Sequence, residues 1–262
     1  MRDDSIELHR EDFEDQELDK HVDDLMHLIG NEANVFEALT NLITVSAYWS
    51  NMHFKQQYDN WRQHNISYPL VNQKNVFDQT VEACFLVAEN SFGWGKFRGT
   101  FAERLVECAF HNWCNKRNDG LAGEIYRGCA VCINGRKIEY RCAQKIEQRE
   151  QCEKEHQWCP PDPKCKGNRR TVDVGRQIFL WTGVKRLDCV ETKLSPDSFH
   201  YLDGAYLDLL KKKLAESGID CKIIVASLGH ASKIKTRVKL CMEDSSGIDI
   251  WDNEKIKDLY FA

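Results

Sequence analysis

The chain of 262 residues has no apolar run approaching the roughly 18 consecutive residues that a membrane-spanning helix needs, which excludes a helical membrane protein. Its first 24 residues lack the basic start and apolar stretch of a secretory signal, so a cytoplasmic location is expected. No internal repeat is visible. Proline is scarce: there are five, and Pro160, Pro161 and Pro163 crowd into one polar segment. With 42% hydrophobic and 29% charged residues, neither disorder throughout nor a collagen-like or fibrous structure fits. The length corresponds to one large domain or two small ones.

Twelve cysteines stand against these absences. Disulfide-rich scaffolds are short and exported, and nothing here directs export, so reduced thiols and metal ligation are the expectation. Charge is uneven as well. Met1 to Asp24 carries eleven Asp or Glu against three Lys or Arg, whereas the remainder is slightly basic, with 33 Lys or Arg against 30 Asp or Glu. An acidic arm therefore precedes a mildly basic body; the plain reading is a solvated helix face, the alternative an arm that regulates access to a basic surface.

Apolar spacing predicts helices over Leu18–Ile29, from Glu32 to about Trp61, and over Val76–Glu89, with Tyr68-Pro69 as an interruption. A further helix is expected from Thr100, where Thr100-Phe101-Ala102-Glu103 matches a capping box, to about Trp113. From Gly123 the pattern changes. Ile125–Cys132 and Lys137–Cys142 read as strands joined at Asn134-Gly135, a strong hairpin turn. After a polar, cysteine-rich segment from Gln144 to Arg170, strands are expected at Thr171–Trp181 and Arg186–Leu194, a helix at Phe199–Ser217 and a strand at Cys221–Ser227. The element order is thus helix, hairpin, strand, strand, helix, strand, an α/β protein.

The chemistry concentrates in Arg186-Leu187-Asp188-Cys189-Val190-Glu191-Thr192-Lys193. Side chains alternate along a strand, so Glu191 and Lys193 share one face while Asp188 leaves by the other. Upstream, Asp173 sits between Val172 and Val174, so valines facing one side put the carboxylate on the other. Two carboxylates from neighbouring strands suit a hard cation such as magnesium. Lys193 then holds a metal-bound water or offsets charge in the transition state.

Asp173 followed by Glu191-Thr192-Lys193 resembles the signature of the PD-(D/E)xK nuclease superfamily, over roughly Thr100 to Ser227, with Val172 in place of the proline. The resemblance implies a restriction-endonuclease-like core of helix, strand meander, helix and strand. It also implies metal-dependent hydrolysis of nucleic-acid phosphodiesters, DNA foremost, with magnesium or manganese as cofactor. Asp173 and Glu191 would be metal ligands, the Thr192 carbonyl a third, and Lys193 the catalytic lysine. A glutamate from the first core helix is often added in the family; Glu103, which follows Gly99 in a Gly-x-x-x-Glu pattern, and Glu107 are the candidates, with Glu103 preferred. By fold-level analogy the setting would be prokaryotic restriction or anti-phage defence, with a protein partner in a defence complex. Residues 1–98 would then be a helical N-terminal region that regulates the core, and 99–262 the nuclease core.

Six cysteines lie between Cys129 and Cys165. Cys129-Ala130-Val131-Cys132 ahead of a turn has spacing for two thiolates on one structural zinc, and Cys159 and Cys165 are the expected second pair, within an insertion around 129–170. The alternative is a set of reduced, partly buried thiols. Lys164, Lys166, Arg169, Arg170, Lys185 and Arg186 flank the acidic residues and would track a phosphate backbone, or else form a solvated surface. The rival from another functional class is a non-catalytic, zinc-stabilised nucleic-acid-binding or assembly protein.

Overall fold

A computed structural model describes residues 6–11, 15–49, 53–91, 93–117, 121–141, 168–180 and 183–262. In chain order these form β1 (Ile6–Arg10), α1 (Gln16–Ile29), α2 (Ala33–Val45), α3 (Phe54–His64), α4 (Lys74–Ser91) and α5 (Trp94–Lys116). Then come β2 (Leu121–Ile133), β3 (Arg136–Lys137), β4 (Tyr140–Arg141), β5 (Asn168–Arg169), β6 (Val172–Leu180) and β7 (Gly183–Lys193). The chain ends with α6 (Tyr201–Glu216), β8 (Asp220–Ser227), α7 (Ala231–Cys241), β9 (Asp249–Trp251) and α8 (Asn253–Tyr260).

Two compact units interleave along the sequence: one comprises residues 1–12 and 114–253, the other residues 13–113 and 254–262. The boundary in the first half falls between Trp113 and Cys114, near the end of α5, rather than before Gly99.

The α/β unit is built on a mixed seven-stranded sheet of order β1-β2-β6-β7-β8-β9, with β3 also paired to β2. The pairs from β1 through β7 are antiparallel; β7–β8 and β8–β9 are parallel. Parallel neighbours need crossovers, and α6 and α7 supply them. The Asn134-Gly135 turn closes the β2–β3 hairpin with φ of 52° and 71°, the left-handed pair that a two-residue hairpin requires. The core under one sheet face gathers Leu187, Cys189, Ile223 and Val225 from the strands against Tyr206, Leu207, Leu210 and Leu214 of α6 and Ile234 and Val238 of α7.

Ile6 and Leu8 of β1 join that core, while Glu7 and His9 point outward. Part of the acidic arm is therefore an edge strand, not a solvated helix face. Glu11 just beyond it forms ion pairs with Lys137 and Arg170.

In the helical unit, α1 buries Leu18, Val22, Leu25 and Ile29, and Asp15 caps it by accepting from the Leu18 N–H at 3.3 Å. The helix expected from Glu32 to Trp61 is broken. α2 ends at Val45 and the chain passes into a turn of 3-10 helix at Ser46–Tyr48, where the Ser46 hydroxyl donates to the Ile43 carbonyl at 3.1 Å, before α3 begins. The start of α5 also differs from expectation: Thr100 lies inside the helix and its hydroxyl donates to the Lys96 carbonyl at 3.0 Å, so it caps nothing. No helix among the described residues is long and apolar enough to cross a membrane.

Candidate active site

Antiparallel pairing of β6 and β7 sets Val174 opposite Val190, and continuing that register by one residue sets Asp173 opposite Glu191. Residues directly opposite on paired strands share a face, so the two carboxylates stand side by side. The Thr192 N–H donates to Asp173 Oδ2 at 2.6 Å, which fixes the aspartate against the neighbouring backbone. Two residues along β7, on the same face as Glu191, Lys193 places its Nζ 2.7 Å from Glu191 Oε1.

Two further residues complete the cluster. Asp203, in the first turn of α6, puts Oδ1 3.2 Å from Lys193 Nζ, and its Oδ2 accepts from the His200 N–H at 2.8 Å. Arg169, on β5, reaches in from the other side. Its Nη2 pairs with Glu191 Oε1 and lies 3.7 Å from Asp173 Oδ1, and its Nη1 is 3.2 Å from Asp203 Oδ1. Three carboxylates thus surround one guanidinium and one ammonium. Glu191 is 1% exposed, and burying a carboxylate to that degree is costly unless charged partners such as these surround it.

Electrostatics keep both cations charged. Burial alone would lower the pKa of Lys193, but the carboxylates of Glu191 and Asp203 outweigh it and raise the ammonium above the ordinary lysine value. Arg169 follows the same pattern, with burial opposed by Glu191, Asp203 and Asp173 and a net rise. In this arrangement Lys193 is a charge donor, not a base.

The donor set fits a hard divalent cation. Oxygen ligands converge from β6, β7 and α6, and Glu191 Oε2 is buried with no hydrogen-bond partner among the described residues. Arg169 is the competing feature, since its guanidinium occupies the space among the carboxylates that a cation would share. Thr192 enters the cluster through its N–H.

The remaining expected residues distribute differently. Asp188 leaves the opposite face of β7, as alternation requires, and accepts from Arg186 Nε at 2.8 Å. It is fully buried, and desolvation raises its pKa despite Arg186 and Arg176 nearby. Glu103 and Glu107 belong to α5 in the helical unit; Glu107 pairs with Arg104 at 3.0 Å, and Arg104 also holds Asp23 at 2.9 Å. Cys129 and Cys132 lie three residues apart on one strand, so their side chains leave opposite faces. Cys129 enters the core beside Leu8 and Gly175, whereas Cys132 stands beside Lys137 and Glu7. That is not the turn-flanking arrangement by which two thiolates reach one ion. Cys159, Cys165, Lys164 and Lys166 lie outside the described residues. Of the remaining basic residues, Arg169 turns inward to the carboxylates, Arg170 pairs with Glu11 at 3.1 Å and Arg186 is committed to Asp188.

Sequence reasoning missed Asp203 as a site residue and did not foresee that Arg169 would pair with the carboxylates. An acid in the first turn of a helix reads as a capping group, and Asp203 does serve as one through His200. The sequence signal that could have flagged it is its place at the start of the helix that follows Glu191-Thr192-Lys193. Comparison of the sequence with protein-family models and with curated proteins finds no match.

Proposed function

We propose that the chain is a metal-dependent nuclease of the PD-(D/E)xK kind, hydrolysing phosphodiester bonds in nucleic acid, with DNA as the substrate class. The observation that carries the reading is the juxtaposition of Asp173, Glu191 and Lys193 on one sheet face with Glu191 Oε2 buried and unpartnered among the described residues. The order of a helix, antiparallel strands, the α6 crossover and parallel β8 agrees with it.

Asp173 and Glu191 would hold magnesium or manganese. Such an ion polarises a phosphoryl oxygen and lowers the pKa of a bound water. Lys193, kept as an ammonium, offsets the negative charge that grows on the phosphoryl group, and Asp203 orients it at 3.2 Å. Arg169 has two roles open to its guanidinium: counter-charge to the carboxylates, and, once turned from them, donor to a phosphate oxygen.

The test is nicking of supercoiled plasmid by the full chain in magnesium and in EDTA. Cleavage in magnesium alone, with Asp173→Ala and Glu191→Ala each lowering the rate by about 10²–10³, supports the reading. Full activity in either variant removes it. A second reading, a zinc-stabilised binding or assembly protein, is favoured by the Arg169 network, which neutralises the carboxylates as a structural cluster does. Nucleic-acid binding without cleavage in magnesium or manganese decides for it. The restriction or anti-phage setting, with its protein partner, rests on the resemblance alone; host toxicity abolished by Lys193→Ala is the observation that bears on it.

A further inference from the structure

The helical unit brings together three different metal-ligating side chains. His21 and Asp24 lie one turn apart on α1, and Cys84 faces them from α4. His21 Nδ1 is 3.7 Å from Asp24 Oδ2 and 4.0 Å from Cys84 Sγ, and all three donor atoms lie within 4.8 Å of one another. A cavity of about 680 Å³ is lined by the same three residues, together with His27 and Thr80.

The arrangement does not suit a nucleophile relay. In a thiol–imidazole–carboxylate relay the ring bridges the other two groups through opposite nitrogens, whereas here Cys84 and Asp24 both approach Nδ1. Cys84 is 1% exposed, its S–H donates to the His21 carbonyl at 3.4 Å, and burial with the Asp24 charge pushes the thiol up to about 12. Left to itself it is an inert thiol. What the three groups share is a point between them.

That point has the dimensions of a tetrahedral site. Bond lengths of about 2.3 Å to sulfur and 2.0–2.2 Å to nitrogen and oxygen put sulfur and nitrogen about 3.6 Å apart, and nitrogen and oxygen about 3.4 Å apart. The observed 4.0 and 3.7 Å exceed these by only a few tenths of an ångström. Beside the hard carboxylate, the soft thiolate and the borderline imidazole favour zinc over magnesium, and the single negative charges of thiolate and carboxylate balance a divalent ion.

We propose that His21, Asp24 and Cys84 bind a zinc-class divalent cation, with its fourth coordination position facing the cavity. Binding forms the metal–sulfur bond as the Cys84 S–H proton passes to solvent. The site shares no residue with the Asp173–Glu191 cluster and stands or falls without it.

The test uses cobalt(II) as probe on the full chain after chelator treatment, reading bound equivalents and thiolate-to-cobalt charge-transfer absorption. Other cysteines contribute equally to wild type and variants, so differences report this site. Cys84→Ser binds one equivalent fewer and loses the intensity of one thiolate. Asp24→Asn keeps the thiolate band but binds more weakly, and magnesium-dependent plasmid cleavage is the same in all three proteins. Equal equivalents and equal spectra in wild type and a natively folded Cys84→Ser overturn the proposal. If circular dichroism shows that Cys84→Ser does not fold, Asp24→Asn decides, since its side chain is 45% exposed: a cobalt titration identical to wild type also overturns it.

Discussion

Arg169 is the residue on which the two readings of the carboxylate cluster part. Its removal by Arg169→Gln takes the guanidinium away from Asp173, Glu191 and Asp203, and loss of one partner of a buried ion cluster costs about 3–5 kcal/mol. In EDTA the variant should melt well below wild type. If the carboxylates bind magnesium, millimolar magnesium restores much of that loss while stabilising wild type less, because in wild type the ion must displace the guanidinium. A variant whose melting temperature ignores magnesium counts against the metal site.

Lys193 gives the pH counterpart. An ammonium whose folded pKa is raised contributes stability that is complete below the unfolded value of about 10.4 and is lost only as pH rises through the folded value. Between pH 6 and 9 it stays charged, so any rise in cleavage rate across that window originates elsewhere. Lys193→Arg should lower the rate, because guanidinium is broad and planar, yet keep the shape of the profile. A profile that flattens in this variant would identify Lys193 as the titrating group. At this scale the sequence was informative where period-two alternation applies: it placed Glu191 with Lys193 and Asp188 opposite. It was silent on Asp203 and on the pairing of Arg169 with the carboxylates, because their meeting is a tertiary event that no local spacing encodes.

Among the elements, α6 is held to α7 by a close approach at Gly204, next to Asp203. A Cβ there would sit 2.1 Å from the Cys241 carbonyl oxygen and 2.6 Å from its carbon, both backbone atoms that cannot swing aside. Gly204→Ala should therefore destabilise by at least about 1–3 kcal/mol and disturb Asp203. Gly99→Ala, inside α5 with nothing within 4 Å of the new carbon, is the control and should gain about 0.5–1 kcal/mol. Thermal melts of the pair check the contrast; equal effects would mean that the helix contact yields easily. The hairpin at Asn134-Gly135, the β6 and β7 strands, α6 and β8 were all legible, because turn chemistry, β-branched runs and helical spacing agree there with the final packing. The break after α2 was not, since apolar spacing continues through Val45 and no glycine or proline marks the 3-10 segment at Ser46–Tyr48. β1 was hidden by its charges: only Ile6 and Leu8 alternate inward, amid carboxylates.

On the scale of the molecule, that strand changes what truncation does. Removing Met1–Asp12 deletes one of the strands paired with β2, withdraws Ile6 and Leu8 from the core and frees the Gln177 amide that donates to the Ile6 carbonyl at 2.5 Å. Large-to-small replacement of one buried Leu or Ile costs about 2–5 kcal/mol, so the deletion should lower the melting temperature sharply instead of acting only on regulation. Native stability after this deletion would show β1 to be dispensable. At the other end, α8 belongs to the helical unit, where Lys257 pairs with Glu37 at 2.6 Å and Asn112 donates to the carbonyls of Leu259 and Tyr260.

The interleaving has a consequence for synthesis. β1 has no partner until residues 121–133 emerge, and the helical unit, nearly finished at residue 113, waits for 254–262. At about 5–20 residues per second, the roughly 110 residues between β1 and β2 take on the order of 5–20 s to be synthesised. For much of that time Ile6, Leu8 and the surface reserved for Tyr260 and Phe261 against Phe36 are apolar groups without their final neighbours. Asp3, Asp4, Glu7 and Glu11 place negative charge around Ile6 and Leu8, and charge on an unpaired strand disfavours edge-to-edge pairing with other chains.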